Sequence, residues 1–259
     1  MSLALTVNSH SSNKECIELY FRYLERYVGE QYFDCIYLFI DDEKGINIPP
    51  YVEVVNYDSS LSFTKQMQNC LKQVKEDILL YSNEDYIFYA NADLTIANFL
   101  VSFLENNEEW SFTKLVHSDL EKYREFSENF FIIDKHCENN FSQVLTFWNK
   151  EDLLKIHNEC PDAEIGAKGD AAGHLELAAR DVCRRLDIAG LCYYDGEPKR
   201  GLYHYDSSVF PHVASALIRG EWNVREYPEL DKILKEEGIL KEREFSLKVK
   251  TKLQFPWEK

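Results

Sequence analysis

Residues 81–93 read YSNEDYIFYANAD and hold the spacing Asn-x-Asp twice, as Asn83-Glu84-Asp85 and as Asn91-Ala92-Asp93. A carboxylate at the end of a buried strand, with a second oxygen donor two residues away, can share a hard divalent cation. Mg2+ or Mn2+ would then complete its shell with phosphate oxygens and water. The same residue types also serve solvated turns and helix caps, where Asn and Asp bond nearby backbone. The apolar run Ile78-Leu79-Leu80-Tyr81 places Asp85 at a strand end, whereas Asp93 precedes a helical period, where aspartate is a good cap. Asp85 is the first candidate ligand and Asp93 the second.

The elements that must position these residues follow from the apolar pattern. Residues 4–7 form a short apolar run, and Ser12 with Glu15 has the spacing of a capping box, so a helix is predicted to follow. Ile17, Tyr20, Leu24, Tyr27 and Val28 recur at three- and four-residue steps, which lays one apolar stripe on a sheet. Residues 35–40 and 51–55 are β-rich. Phe63, Met67, Cys70, Leu71 and Val74 mark a second helix, and residues 78–81 the strand that feeds the opening motif. Such alternation predicts an α/β fold with a mostly parallel central sheet flanked by helices, its ligand crevice beyond the carboxyl ends of the strands. Asn8-Ser9-His10, Asp41-Asp42 and Asn83-Glu84-Asp85 all fall at such ends.

The second half is less regular. Helices are predicted over 95–104, 150–157, 174–186 and 227–238, and short strands over 111–116, 130–134 and 144–148. Residues 160–173, CPDAEIGAKGDAAG, carry three of the ten glycines and no apolar period, and read as a long mobile loop. In the tail, residues 247–253 alternate apolar side chains with lysine. This is either an edge strand with lysines on its wet face or, together with Trp257, a peripheral contact with a membrane or a partner.

Composition bounds the partners. With 29 Lys and Arg against 45 Asp and Glu, the net charge of -16 repels polyanions, which disfavours nucleic-acid binding. An enzyme handling a nucleotide or sugar phosphate on this background needs a local counter-charge, such as a divalent cation. Seven cysteines without a CxxC fit a reducing compartment. The apolar run near the N-terminus is too short for a secretory segment, so the expected location is cytoplasmic. Gly-x-Gly-x-x-Gly, a Walker loop, Gly-x-Ser-x-Gly and His-Glu-x-x-His are all absent, which argues against the commoner dehydrogenases, kinases, hydrolases and zinc proteases.

The order of elements, with LALTVNSH, LFIDDE, SLSFTKQMQNCLKQV leading into ILLYSNEDYIF, and FSQVLTFWNKEDLLKI followed by HLELAARD, resembles the GT-A fold glycosyltransferases. This is the nucleotide-diphospho-sugar transferase superfamily, and the likeness spans residues 4–225. It implies a nucleotide-binding half at 1–105, a smaller mixed acceptor half at 106–225, and a C-terminal helix and basic tail at 226–259. It further implies a Mn2+ or Mg2+ cofactor, a nucleotide-diphosphate sugar donor and a glycan or lipid-linked acceptor. Asn8, Ser9, His10, Asp41 and Asp42 would line the nucleoside pocket, although Asp41-Asp42 reads equally as a solvated turn. Asn83 and Glu84 would flank the cation at Asp85. Gln143 and Trp148 would meet a sugar, with plain core the other reading of Trp148. Transfer with inversion needs a carboxylate to deprotonate the acceptor, and Glu176 and then Asp170 are the candidates. A late imidazole, His204 or His212, could complete the metal site, and Lys199, Arg200 or Arg219 could meet a diphosphate. One departure is plain: the family pattern has Asp where this chain has Asn83. Two other readings stay open. One is a sugar nucleotidyltransferase, whose Gly-rich basic loop after the first strand is missing here; the other is a catalytically silent binding module.

Overall fold

Side-chain alternation sorts the core into two layers. In β1 (Leu3–Asn8), Leu3, Leu5 and Val7 pack into one apolar cluster and Ala4 into another. In β2 (Cys35–Ile40), Ile36, Leu38 and Ile40 join the first and Tyr37 and Phe39 the second. A strand that is apolar on both faces must be covered on both. The computed structural model, which describes residues 2–116, 123–137, 139–162, 171–200, 204–218 and 220–239, shows helices doing so.

In chain order the remaining elements of the first half are α1 (Lys14–Tyr27), β3 (Val52–Asn56), α2 (Phe63–Leu71), β4 (Ile78–Asn83), β5 (Ile87–Phe88) and α3 (Leu94–Asn106). They are followed by β6 (Phe112–Lys114), β7 (Arg124–Ser127), β8 (Phe130–Ile133), β9 (Thr146–Asn149), α4 (Lys150–Glu159), α5 (Ala171–Leu186) and β10 (Gly190–Tyr193). Short pieces close the described chain: β11 (Lys199–Arg200), β12 (His204–Tyr205), β13 (His212–Val213), β14 (Leu217–Ile218), β15 (Glu221–Trp222) and α6 (Pro228–Glu236). Buried residues of α1, α3 and α6 share the first cluster, and those of α2, α4 and α5 the second.

Among the described residues nine strands form one sheet in the order β3-β2-β1-β4-β9-β6-β10-β8-β7. The first four run parallel, as predicted, with Asn8 level with Asn83 in adjacent strands. Beyond β4 the sheet is mixed: β9 is antiparallel to both β4 and β6, while β6 and β10 are parallel. The chain leaves β1 for β2 on one side and returns to β4 on the other. This reversal opens a crevice beyond the carboxyl ends of β1 and β4.

Two local expectations need correction. The Ser12/Glu15 capping box does not form, because Ser11–Asn13 is a separate 3-10 turn and the residue before α1 is Asn13, without a side-chain cap bond. Residues 171–173, assigned from sequence to the loop, begin α5, and residues 163–170, with Asp170, lie outside the described residues. The alternating tail at 247–253 and Trp257 lie outside them too. Among the described residues no helix is long and apolar enough to cross a membrane.

Candidate functional site

The paired ends of β1 and β4 do what their register requires. Asn8 and Asn83 lie side by side, and the Glu84 amide donates to the Asn8 carbonyl at 3.3 Å. Ser9 and His10 therefore continue alongside Glu84 and Asp85. These residues line a cavity of about 660 Å³ together with Asn13, Tyr57, Ser59, Phe63, Gln66, Tyr86, Gln143, Ala214, Ser215, Leu217 and Gly220.

Two neighbouring carboxyls sit in its wall. Glu84 is buried, its Oε1 accepts from Asn13 Nδ2 at 2.5 Å, and burial pushes its pKa up to about 7 against the opposing effect of that bond. Asp85 reaches the cavity surface, yet poor hydration and then the Glu84 charge hold its carboxyl well above the usual carboxylate range. Hydrogen bonds from Ser215 and the Leu217 backbone offset only part of this. The late segment arrives because β13 pairs with β5, after which the Ala216 amide donates to the Asp85 carbonyl at 2.9 Å.

The remaining wall is a hydrogen-bonded unit around Gln143. Its carbonyl accepts from Asn83 Nδ2 at 3.2 Å and from the Tyr86 hydroxyl, and its Oε1 accepts from the Tyr81 hydroxyl at 3.2 Å. Its amide donates to Glu176 Oε1 at 2.7 Å. One helical turn on, Arg180 donates to the Phe141 carbonyl at 3.3 Å, while buried Lys114 donates to Ser142 Oγ at 2.8 Å and to the Asn139 carbonyl. Segment 139–143 is thus gripped from α5 and from β6.

No protein-family model matches the chain, and no curated protein matches it. Among solved structures, UDP-glucose pyrophosphorylase in complex with UDP-glucose superposes with a TM-score of 0.55 at 8% identity, covering 92% of this chain and 100% of that one. The chain shares the fold of that structure. Looser overlaps are found with S. aureus TarS residues 1–349 (TM-score 0.44, 15% identity, 93% of this chain and 66% of that one) and with CMP:2-keto-3-deoxy-manno-octonic acid synthetase complexed with CTP (0.42, 11%, 74% and 89%).

On this GT-A-like scaffold the structure brings Asn8, Ser9, His10, Asn83, Glu84, Asp85 and Gln143 into one cavity, and among the described residues Asp41, Asp42, Asp93, Trp148, Glu176 and His212 are not in its lining. Asp41 stands behind it. Its carboxylate takes the Ser11 amide at 2.7 Å and hydroxyl at 2.9 Å, and lies 3.4 Å from His10 Nε2. Burial opposes its ionisation, but the Ser11 bonds and His10 lower its pKa. Asp42 is an exposed turn residue that accepts the Lys44 amide. Trp148 is core, with Phe112 and Phe141 ring centroids at 4.6 and 5.8 Å. Asp93 caps α3, its Oδ1 accepting the Thr95 and Ile96 amides at 3.0 Å each. His212 is buried behind Tyr86 with its Nδ1 2.6 Å from the Phe210 carbonyl. Arg200 is bound to Asp206 and Glu229, and Arg219 lies outside the described residues.

Sequence reasoning missed Asn13, Tyr57, Phe63, Tyr86 and Ser215. Asn13 and Tyr86 stand beside recognised strand-end motifs and could have been found from that position. Ser215 carried no such signal, since only the β5–β13 pairing brings it near Asp85.

Proposed function

We propose that this protein is a glycosyltransferase that binds a nucleotide-diphosphate sugar in the cavity beyond β1 and β4 and passes the sugar to a glycan or lipid-linked glycan. The observation that carries the reading is the set of polar groups in that cavity. Two adjacent carboxyls, Glu84 and Asp85, face it, and no Lys or Arg lines it among the described residues. A diphosphate cannot settle there unneutralised, in a chain of net charge -16.

The donor set fits a hard cation that draws most of its ligands from phosphate and water. It offers carboxylate oxygens at Glu84 and Asp85, and among the described residues no group of three His, Cys, Asp or Glu is placed to enclose a metal unaided. Asp85 and Glu84 would hold Mn2+ or Mg2+, and the bound cation would neutralise the diphosphate and stabilise it as a leaving group. Asn8, Ser9 and His10, with Tyr57 and Phe63 in the same lining and the Tyr57 hydroxyl donating to the Ser9 carbonyl at 2.8 Å, offer polar groups and aromatic faces for the nucleoside. Gln143, in the same lining, would meet the acceptor or donor sugar. Between β1 and α1 the chain makes only one 3-10 turn, with no Gly-rich basic loop, which favours sugar transfer over nucleotidyl transfer.

Thermal unfolding with UDP, GDP or CMP, with and without Mn2+, tests this. A nucleotide should raise the Tm more in the presence of Mn2+, and Asp85→Asn should abolish the metal-dependent part. A shift left intact in Asp85→Asn would remove the cation assignment, and no shift with any nucleotide would remove the donor site. Release of pyrophosphate from a nucleoside triphosphate and a sugar phosphate would assign nucleotidyl transfer instead.

A further inference from the structure

We propose that Asn83 is a positioning residue, required as a hydrogen-bond donor, and not a metal-ligand position that has lost its carboxylate. The proposal concerns the same cavity and rests on the reading above only for its ligand-bound arm. In the resembling family this place is usually Asp, so the simplest expectation is that Asn83→Asp would repair a weakened cation site.

The geometry points the other way. Asn83 Nδ2 is directed at the Gln143 carbonyl at 3.2 Å and at the Tyr86 hydroxyl at 3.2 Å. Only the NH2 end of an amide can face a carbonyl, so this orientation is fixed by its partner. The Tyr86 hydroxyl accepts from Asn83 and donates its own proton to the same Gln143 carbonyl, which thus receives two donors. An ionised carboxylate at 83 has no proton to give. It would place negative oxygens against the Gln143 carbonyl in a part-buried wall, where a charge without a donor is expensive.

Gln143 is held from its other side by Glu176, which accepts its amide, and segment 139–142 is held by Lys114 and Arg180. The segment that carries this carbonyl is thus anchored to both α5 and β6. Together with the Tyr81 and Tyr86 hydroxyls, Asn83 ties this clamped segment to the end of β4, and it helps fix where Gln143 meets a ligand.

The test is an order of stabilities in the intact, ligand-free protein at pH 7.5. Asn83→Ala removes the donor but leaves the Tyr86 bond to the carbonyl, whereas Asn83→Asp removes the donor and adds a charge. The expected order of Tm is parent, then Asn83→Ala, then Asn83→Asp, the last lower than the parent by roughly 4–8 °C. In the ligand-bound arm, UDP with Mn2+ should stabilise Asn83→Asp no more than it stabilises the parent. A ligand-free Tm for Asn83→Asp equal to or above that of Asn83→Ala would overturn the donor requirement, whatever the nucleotide arm gives. A larger Mn2+-dependent shift in Asn83→Asp than in the parent would show that the position is a ligand site after all. If no nucleotide shifts the parent, the glycosyltransferase reading falls while the ligand-free order still decides the role of Asn83.

Discussion

At the scale of single residues, Glu176 sets two roles against each other. Its position after a long loop suggested a carboxylate that takes the acceptor proton, yet the structure engages its Oε1 with the Gln143 amide and sets its Oε2 4.0 Å from Arg180. A general base must change its protonation during turnover, whereas a carboxylate that only receives a backbone N–H can be replaced by an amide oxygen. Glu176→Gln is therefore expected to keep the nucleotide-induced Tm shift and to hold sugar transfer or donor hydrolysis within about threefold of the parent. Glu176→Ala, which leaves the Gln143 amide without its acceptor, should lose most of both. Equal losses of about a hundredfold or more in the two variants, with the nucleotide shift retained, would return Glu176 to the role of base. The sequence could show that a carboxylate stood near the loop, but not which partner it faced. Gln143 and Glu176 are 33 residues apart and meet only through tertiary packing.

At the scale of elements, much was legible because local periodicity and burial agreed. The order β1-α1-β2-β3-α2-β4 was visible from alternating apolar runs and helical stripes, and α3, α4, α5 and α6 appear where the spacing placed them, within a few residues. What escaped has physical reasons. The four residues of β7 are exposed on the sheet edge and show no apolar alternation. β10 opens with Gly190, a poor strand former, yet a Cβ there would fall 2.4 Å from the Phe112 ring, so the close approach of β6 requires glycine. The second Asn-x-Asp was readable in its structural sense, since Asp93 caps α3 as the apolar period suggested. Asp93→Ala should cost about 1 kcal/mol in urea unfolding and leave the Mn2+-dependent nucleotide shift unchanged. Loss of that shift with stability intact would make Asp93 a cation ligand.

At the scale of the whole molecule, the two core layers differ in one respect that pH can read. The layer formed with α2, α4 and α5 contains His157, buried with neither ring nitrogen hydrogen-bonded and packed 6.3 Å, centroid to centroid, from Phe141. Burial lowers its pKa from 6.5 to about 4. The unfolded chain therefore binds a proton between those values and the folded one does not. Stability from this group is fully present above pH 6.5 and is lost as the pH falls through about 4, some 3 kcal/mol in all and about 2 kcal/mol of it by pH 5. Glu84 works in the opposite sense. Its folded pKa of about 7 lies above its ordinary 4.5, so its contribution is present below 4.5 and lost as the pH rises through 7. The parent's own pH profile mixes these slopes with that of Asp85, whose carboxyl is also held above its usual range, and a variant is needed to separate them. His157→Leu keeps an apolar side chain in the layer, removes two unpartnered nitrogens, and leaves the His157 backbone carbonyl to accept Gln68 Nε2 as before. In urea unfolding it should match or slightly exceed the parent at pH 7.5, and its advantage should grow by about 2 kcal/mol at pH 5. An advantage unchanged between the two pH values would mean that the imidazole is protonated as readily in the folded protein as in the unfolded chain, and that the layer between the sheet and α4 admits water.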